Sequence, residues 1–272
     1  MTGLDELLEL AEATALAAAD HLLAGPARGR LEVTSKTNDT DLVTEVDRSC
    51  EHLIVDRITR HRPRDGIVGE EGTSVTGQSG VDWIIDPLDG TTNYVYGHPG
   101  FSVSIAATVD GQPAIGVVAD PVLGHLFAAR LGGGATRDGH PIRCSELTRL
   151  DLALVATGFA YDPGLRRHQA ETLVRVLPRI RDIRRMGGAA IDLCSVGNGR
   201  VDAYFERGLQ PWDLAAGTVI ASEAGARVGD LDGGPPSARY CIAAPPSLYE
   251  PLVTLLAAAE ALTEHRSPIA ER

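Results

Sequence analysis

An apolar run stops at two carboxylates and a turn in the segment Trp83-Ile84-Ile85-Asp86-Pro87-Leu88-Asp89-Gly90-Thr91-Thr92-Asn93. The apolar residues predict a buried strand. Because Pro87 has no backbone N–H, it is expected to end the hydrogen-bonded ladder of that strand. Asp86 and Asp89 should then project from the carboxyl end of the strand. This segment constrains the fold most, since it fixes both a buried element and the place of two acids.

The two acids are typical of a divalent metal site. Two carboxylates at this spacing repel each other unless a cation lies between them. Oxygen ligands without a nearby His or Cys favour Mg²⁺, Mn²⁺ or Ca²⁺ over zinc. The turn that follows offers backbone N–H groups and hydroxyls to an anion such as phosphate. The alternative is an ordinary surface turn in which Asp caps its own backbone.

Two distant segments favour the metal site over the surface turn. Ile67-Val68-Gly69-Glu70-Glu71 is a second short apolar strand that ends in acids, and Trp212-Asp213-Leu214 places an acid at the start of a predicted helix. Each junction delivers a carboxylate where an element begins or ends. We therefore expect Glu70 and Asp213 to complete the ligand shell around Asp86 and Asp89.

Together these segments resemble the inositol monophosphatase family of magnesium-dependent, lithium-sensitive phosphatases. The matching motifs are Gly69-Glu70-Glu71, Trp83 to Asn93, Trp212-Asp213-Leu214-Ala215-Ala216-Gly217, Asp41-Leu42-Val43-Thr44-Glu45-Val46-Asp47, Arg185-Met186-Gly187-Gly188-Ala189-Ala190 and Asp202-Ala203-Tyr204-Phe205-Glu206. They cover nearly the whole chain in the family's order. The resemblance implies a mixed α+β and α/β fold, a layered α-β-α-β-α sandwich of the inositol monophosphatase and fructose bisphosphatase type.

The resemblance also implies a set of metal ligands. Glu70, Asp86 and the backbone carbonyl of Leu88 would hold the first ion. Asp86, Asp89 and Asp213 would hold the second, so that Asp86 bridges the two. Glu70 would lend an oxygen to a third, weaker ion. The implied cofactor is Mg²⁺, two or three ions per site, with Mn²⁺ as a substitute.

Catalytic and substrate-binding roles follow from the same resemblance. Asp47 and Thr91 would form a hydrogen-bonded pair that orients and deprotonates the attacking water. Because Thr cannot act as a base near neutral pH, Asp47 would be the final proton acceptor. Thr44 with Asp47 at the third position is also typical of a capping box at a helix start, and both roles can hold together because the helix dipole keeps the carboxylate ionised.

The remaining implied contacts belong to the substrate pocket. The N–H groups of Gly90 and Thr91 would hold the phosphate, and Glu206 would accept hydrogen bonds from the alcohol half. The other residues expected at the substrate are Glu70, Asp213 and the backbone of Gly187, Gly188 and Ala189. The family often has Thr or Ser where this chain has Gly188, so one hydroxyl contact to the substrate would be missing.

Lys36 is the only lysine among 25 basic residues, in a polar segment predicted to be a loop joining two helices. A compact ammonium on a flexible stem is not replaced by an Arg fork at a crowded site. The resemblance agrees, since the family has a mobile loop here whose lysine reaches the water network of the third metal. The alternative is a surface lysine without a role.

Composition narrows the class of protein. The chain has 272 residues, 43% of them hydrophobic, and a net charge of -12. The negative charge opposes binding to nucleic acid or to an anionic membrane. An acidic N-terminal stretch shows no secretory signal, and four widely spaced cysteines are typical of reduced thiols, which together predict a cytoplasmic protein. A homodimer is implied by the resemblance alone.

Apolar periodicity predicts two halves, residues 1–144 and 145–272. In the first, helices are expected from Leu4 to about Gly25 and from Thr44, and residues 101–142 read as an antiparallel meander with turns at Asp110-Gly111 and Asp138-Gly139. In the second, short strands alternate with helices, which is typical of an α/β unit. Since Asp213 belongs to the second half, the site is expected in the cleft between them.

The function expected from these features is Mg²⁺-dependent hydrolysis of myo-inositol 1-phosphate or a related small polyol phosphate. Histidinol phosphate, fructose 1,6-bisphosphate and 3′-phosphoadenosine 5′-phosphate stay open as substrates, because enzymes on similar cores hydrolyse them. The alternative from another class is a regulatory protein that acts through the transcription machinery.

Overall fold

A computed structural model of the chain describes residues 3–25, 33–35 and 42–264. Within those ranges the helices are α1 (Leu4–Leu23), α2 (Glu45–His61), α3 (Thr91–Tyr96), α4 (Pro163–Val176), α5 (Ala189–Gly197), α6 (Pro211–Glu223) and α7 (Pro246–Glu264). The strands are β1 (Val33–Ser35), β2 (Leu42–Thr44), β3 (Gly66–Gly69), β4 (Ser74–Val75), β5 (Val81–Asp89), β6 (Ser102–Val109), β7 (Gln112–Asp120), β8 (His125–Arg130), β9 (Gly134–Arg137), β10 (His140–Pro141), β11 (Leu154–Thr157), β12 (Asp182–Arg184), β13 (Ala203–Glu206), β14 (Arg227–Gly229) and β15 (Cys241–Ala244). In these ranges no helix is both long enough and apolar enough to cross a membrane.

The strands form a two-stranded sheet (β1 and β2), an eight-stranded sheet and a five-stranded sheet. The larger sheet has eight strands in the order β10-β9-β8-β7-β6-β5-β3-β4, in which only β3 and β5 run parallel. The smaller has five strands in the order β12-β11-β13-β15-β14, with β11 parallel to both of its neighbours. Parallel β3 and β5 bring the carboxyl ends of two acid-bearing strands to one edge of the larger sheet.

Helices and sheets alternate in five layers. α1 and α2 pack on one face of the eight-stranded sheet, α5 and α6 lie between the two sheets, and α7 packs beside α4 on the outer face of the five-stranded sheet. The approach of α6 to the larger sheet is close, since a Cβ on Gly116 would lie 2.4 Å from the Ala216 carbonyl oxygen. The predicted α-β-α-β-α sandwich is confirmed.

Several predicted elements occur where the sequence places them. α1 covers the predicted first helix, and α2 begins after Thr44, which caps it together with Asp47. The meander is the antiparallel run β6 to β10, and Asp110 and Asp138 have φ of 51° and 55° at its turns. A positive φ at Asp followed by Gly is typical of tight hairpin turns.

Other predictions need correction. The segment between α1 and α2 is not only a polar loop, because β1 and β2 pair there as an antiparallel ladder. β5 does not stop at Pro87 but continues to Asp89 past a shift in its pairing with β6, since a bulge tolerates a residue without an N–H. β14, β15 and α7 were not foreseen. The division into residues 1–144 and 145–272 stays a prediction.

Candidate active site

β3 and β5 bring the first acids together. Gly69 is paired with Ile85 in the parallel register, so the residue that follows each of them emerges at the same edge. The Glu70 N–H donates to the Ile85 carbonyl over 3.2 Å, and the Glu70 carboxyl is close enough to Asp86 to raise the pKa of Asp86. The bulge after Asp86 is fixed by the Leu88 N–H, which donates to Asp86 Oδ1 over 2.9 Å.

Asp213 reaches these acids from the central helical layer. It lies at the third position of α6, where its carboxylate accepts the backbone N–H of Gln210 over 2.7 Å in a capping box. One carboxylate oxygen from each of Asp86, Asp89 and Asp213 lies within 4.8 Å of the others. The structure therefore brings Asp213 to the two acids of β5, whereas Glu70 is not one of the three acids in this group.

The electrostatics of this cluster fit a cation. Burial raises the pKa of Asp86 well above its ordinary value, and repulsion from Glu70, Asp89 and Asp213 raises it further. Burial also raises the pKa of Asp89 to about 7. A bound cation removes this penalty because it favours the ionised form. The donors are all oxygen, as hard divalent cations prefer, so the residues present suit a Mg²⁺-type ion.

Asp47 and Thr91 form the predicted pair. The Thr91 hydroxyl donates to Asp47 Oδ1 over 3.0 Å and also lies 3.2 Å from the Leu88 carbonyl oxygen. The other Asp47 oxygen accepts the N–H and the hydroxyl of Thr44 in the capping box. Burial raises the pKa of Asp47, and its hydrogen bonds from Thr44 and Thr91 oppose the rise. The Asp47 carboxyl thus both caps α2 and occupies the position expected of the proton acceptor.

Gly90 makes the turn into α3 and cannot carry a side chain there. Its φ is 89°, and a Cβ would lie 2.8 Å from the Gly100 carbonyl oxygen. Three residues on, the Asn93 amide donates to the carbonyls of Gly100 and Met186 over 2.9 and 2.7 Å. Asn93 thereby joins the Gly-Thr-Thr turn to the segment before α5. The phosphate contact of the Gly90 and Thr91 N–H groups stays a prediction.

The start of α5 lies directly against Asp89. The N–H groups of Ala189 and Ala190 donate to the Asp89 carboxylate over 3.3 and 2.8 Å. A Cβ on Gly188 would lie 2.9 Å from Asp89 Oδ2. The Asp89 carboxylate therefore occupies space that a larger residue at position 188 would need. Gly187, with φ of 109°, makes the turn before it.

Glu206 lies at the end of β13. Its carboxylate accepts the Tyr204 hydroxyl over 2.8 Å, and burial raises its pKa to about 7, which the nearby Arg185 guanidinium opposes. It packs on Gly158, where a Cβ would lie 2.0 Å from Glu206 Oε2. The charges of Asp89 and Asp213 act on Glu206 in turn, so the predicted pocket residue is near the acid cluster.

Some residues of the site were not foreseen from the sequence. Asp192 in α5 is 1% exposed, and its Oδ1 has no hydrogen-bond partner in the part of the chain that the structure describes. Burial raises its pKa well above the ordinary value, with further repulsion from Glu206 and Asp89. A carboxylate inside an apolar helix pattern was the available signal. No sequence signal marks Gly158. Lys36 lies outside the described residues.

Comparisons with known proteins place the chain among relatives. The model of the inositol monophosphatase family matches residues 3–264. The inositol-1-monophosphatase SuhB of Mycobacterium tuberculosis strain H37Rv is 47% identical over 205 residues, 72% of this chain and 71% of that protein. The Nus factor SuhB of Vibrio cholerae is 40% identical over 233 residues, 84% of this chain and 86% of that protein.

Solved structures share the fold. The extragenic suppressor protein suhB from Bartonella henselae has a TM-score of 0.88 at 34% identity, covering 92% of this chain and 98% of that one. An IMPase of Thermotoga maritima has a TM-score of 0.86 at 33% identity, covering 95% and 99%. Both similarities extend over almost the full length of both chains.

Proposed function

This chain belongs to the inositol monophosphatase family, and we propose that it is a Mg²⁺-dependent phosphomonoesterase that hydrolyses myo-inositol 1-phosphate, or a related small polyol phosphate, to the alcohol and inorganic phosphate. The family consists of metal-dependent phosphatases, and the acid cluster could hold a metal ion. The observation that carries the proposal is the convergence of Asp86, Asp89 and Asp213 within 4.8 Å, where burial disfavours the ionisation of Asp86 and Asp89 without a cation.

The proposed metal ligands are the carboxylates of Glu70, Asp86, Asp89 and Asp213 and the backbone carbonyl of Leu88. When bound, Mg²⁺ offsets the charge of the phosphate dianion and lowers the pKa of the attacking water. The backbone N–H groups of Leu88, Ala190 and Gln210 hold the carboxylates of Asp86, Asp89 and Asp213 in place. Such preorganised ligands are what a metal site with a fixed geometry requires.

The other residues act on the water and the ester. Asp47 is proposed to take the proton of the attacking water through the Thr91 hydroxyl, which already donates to it. Gly90 and Thr91 are proposed to offer their N–H groups to the phosphate. Lys36, which lies outside the described residues, is proposed to act on the water network. Because phosphoryl transfer depends mainly on positioning and charge, these fixed groups supply what the chain itself must contribute.

A polyol is the proposed leaving group because of Glu206. Its carboxylate keeps one oxygen on the Tyr204 hydroxyl and can accept hydrogen bonds from a substrate hydroxyl with the rest of its lone pairs. The backbone of Gly187, Gly188 and Ala189 and the acids Glu70 and Asp213 are proposed to border the same pocket. Relatives named inositol-1-monophosphatase support this substrate over the other esters.

The test is phosphate release by the purified protein from inositol 1-phosphate, histidinol phosphate, fructose 1,6-bisphosphate and 3′-phosphoadenosine 5′-phosphate, each with Mg²⁺ and with EDTA. We expect preference for inositol 1-phosphate and loss of release in EDTA. Preference for another ester would keep the reaction and change the substrate. No metal-dependent release from any ester would overturn the proposal.

A second candidate function is regulatory, through a partner in the transcription machinery. The observation that favours it is the group of relatives named Nus factor SuhB, at 40 to 42% identity. Asp213→Asn separates the two, because it removes a proposed metal ligand and leaves the surface of the fold in place. Loss of hydrolysis with an unchanged cellular phenotype would favour the regulatory role.

We further propose a cytoplasmic homodimer that is inhibited by Li⁺. The four cysteines are free thiols, as a reducing compartment would keep them. The proposed partner of the site is a small phosphate ester, with no role in binding nucleic acid or membrane. Sedimentation of the purified protein tests the homodimer, and turnover at millimolar Li⁺ tests the inhibition.

A further inference from the structure

Glu51 is a buried carboxylate that no motif singles out. It lies on α2, is 2% exposed, and points at the turn that follows β3. One of its oxygens accepts the Glu71 N–H over 2.8 Å. The other accepts the N–H and the hydroxyl of Thr73 over 3.0 and 2.6 Å. Three donors from one turn therefore converge on a single side chain that comes from another element.

The turn held by Glu51 is the one that carries Glu70. It is closed by the Gly69 N–H, which donates to the Thr73 carbonyl over 2.8 Å. The Glu70 N–H binds the Ile85 carbonyl of β5 over 3.2 Å, on the strand that leads into Asp86. Glu70 is thus fixed to β5 at one end and, through its neighbour in the chain, to Glu51 at the other.

Gly69 shows how close the carboxylate lies. A Cβ at this position would be 2.4 Å from Glu51 Oε2 and 2.6 Å from its carboxyl carbon. No side chain fits unless Glu51 withdraws. The contact between the carboxylate and the turn is therefore tight as well as directional.

The same side of α2 contacts two other segments of the site. Asp47, one helical turn before Glu51, accepts the Thr91 hydroxyl. The Cys50 thiol lies 3.4 Å from the Pro87 carbonyl oxygen, inside the bulge between Asp86 and Asp89. α2 thus meets the Glu70 turn, the Asp-Pro bulge and the Gly-Thr-Thr turn with three side chains in two helical turns.

We propose that Glu51 is a positioning residue for the metal centre, which holds Glu70 at the distance from Asp86 that a shared cation requires. The proposal rests on the proposed function, in which Glu70 and Asp86 are ligands. Glu51 does not touch the metal; it fixes the backbone from which one ligand projects. Partners of this kind set metal affinity, and their loss typically weakens it about 10- to 100-fold.

The test is Glu51→Gln, with Mg²⁺ and Mn²⁺ binding measured by calorimetry in the absence of any ester. An amide has one acceptor oxygen and one NH₂ group. The backbone N–H of Glu71 or that of Thr73 must therefore face a donor in place of an acceptor. We expect the metal dissociation constant to rise about 10- to 100-fold. Turnover at saturating Mg²⁺ and the KM for the ester should stay close to those of the parent.

Asp65→Asn is the matched control. Asp65 is also a buried carboxylate, 4% exposed, and it accepts hydrogen bonds from Arg62, Ser79 and Trp83 at the opposite end of β3. It should lower the melting temperature without changing metal affinity. If both variants weaken metal binding equally, the effect is general destabilisation and the proposal fails.

Thr73 gives a milder second test, which applies even if Glu51→Gln does not fold. Thr73→Val removes the hydroxyl that donates to Glu51 and keeps the N–H, and Thr73→Ser keeps both. Weaker metal binding in the Val variant and parental binding in the Ser variant are expected. Unchanged binding in the Val variant would overturn the proposal. Because metal binding is measured without substrate, these tests of Glu51 remain valid even if no tested ester is hydrolysed.

Discussion

The Thr91 hydroxyl donates a 3.0 Å hydrogen bond to Asp47 Oδ1 across 44 residues of sequence. Asp47 is held from its other oxygen by Thr44, so the pair is fixed by the start of α2 on one side and by the start of α3 on the other. Asp47 and Thr91 are both held in position because each lies in the first turn of a helix, where the backbone is ordered.

Thr91→Ala should lower kcat about 10²- to 10⁴-fold, as the loss of a proton-transfer group does. The metal dissociation constant should change far less than kcat, because the Thr91 hydroxyl donates to Asp47 and the Leu88 carbonyl is the only proposed metal ligand among its hydrogen-bond partners in the described residues. Thr91→Ser keeps the hydroxyl and should restore most of the turnover. The check is kcat with metal calorimetry on the same preparations, and a Ser variant as slow as the Ala variant would contradict the proton path.

Asp86→Asn should abolish metal binding and raise the melting temperature of the metal-free protein at pH 8. The amide keeps the oxygen that accepts the Leu88 N–H and removes a buried charge that three other acids repel. A gain of several degrees is expected, since about 1 kcal/mol shifts the melting temperature by roughly 2–4 °C in a chain of this size. Calorimetric melting in EDTA measures it.

Asp56→Asn is the control for that variant. The Asp56 side chain is 71% exposed and pairs with Arg60 at 3.7 Å on the surface of α2. Its replacement should leave both the melting temperature and the metal affinity unchanged. A metal-free Asp86→Asn protein that melts at or below the parent temperature would show that the acid cluster is not strained.

Stability without metal should fall as the pH rises from about 4 to about 7. Burial raises the pKa of Asp89 and Glu206 to about 7, whereas in the unfolded chain both titrate near 4. The folded state therefore binds more protons in this window, so its extra stability is complete below pH 4 and is lost through pH 7. Melting temperatures in EDTA across this range test the sign.

Added Mg²⁺ should reverse that loss. Because protons and metal compete for the same carboxylates, 10 mM Mg²⁺ should raise the melting temperature more at pH 8 than at pH 5.5. The difference between the melting temperatures with and without Mg²⁺ at one pH cancels the contributions of groups that do not contact the metal. An equal gain at both values would contradict competition at the acid cluster.

Gly158→Ala should weaken substrate binding and spare metal binding. The new Cβ would lie 2.0 Å from Glu206 Oε2, so the carboxylate must move away from the Tyr204 hydroxyl. We expect a higher KM for inositol 1-phosphate, by about tenfold for the loss of one charge-assisted hydrogen bond. Steady-state kinetics and metal calorimetry measure the two effects separately. Gly234→Ala, where a Cβ would meet no atom of the described residues within 4 Å, provides a control for purification and handling.

The sequence predicts the site better than it predicts the elements around it. Asp86 and Asp89 lie near the end of an apolar strand and Asp213 lies in the first turn of a helix, and these local signals give their place without knowledge of the sheet order. The role of Thr44 as a cap is equally local. Such predictions succeed because the residues that decide them are close together in the chain.

Long-range contacts explain what the sequence analysis missed. Continuation of β5 beyond Pro87 depends on β6, which resumes pairing at Ser102. Glu51 looks like an ordinary acid of an amphipathic helix until the β3 turn packs on it, and Gly158 has no signal until Glu206 approaches. β15 pairs with β13 on one side and with β14 on the other, and a three- or four-residue strand carries too short a pattern to stand out alone.

The central position of α6 bears on how the chain can be divided. Its apolar residues Ala216, Val219 and Ile220 cover a face of the eight-stranded sheet, and the close approach at Gly116 leaves no room for another element there. A recombinant fragment ending at residue 144 would expose that face to water and aggregate. Truncation and domain exchange at the midpoint should therefore fail, and new substrate preferences would have to arise by substitution within the pocket segments of an intact chain.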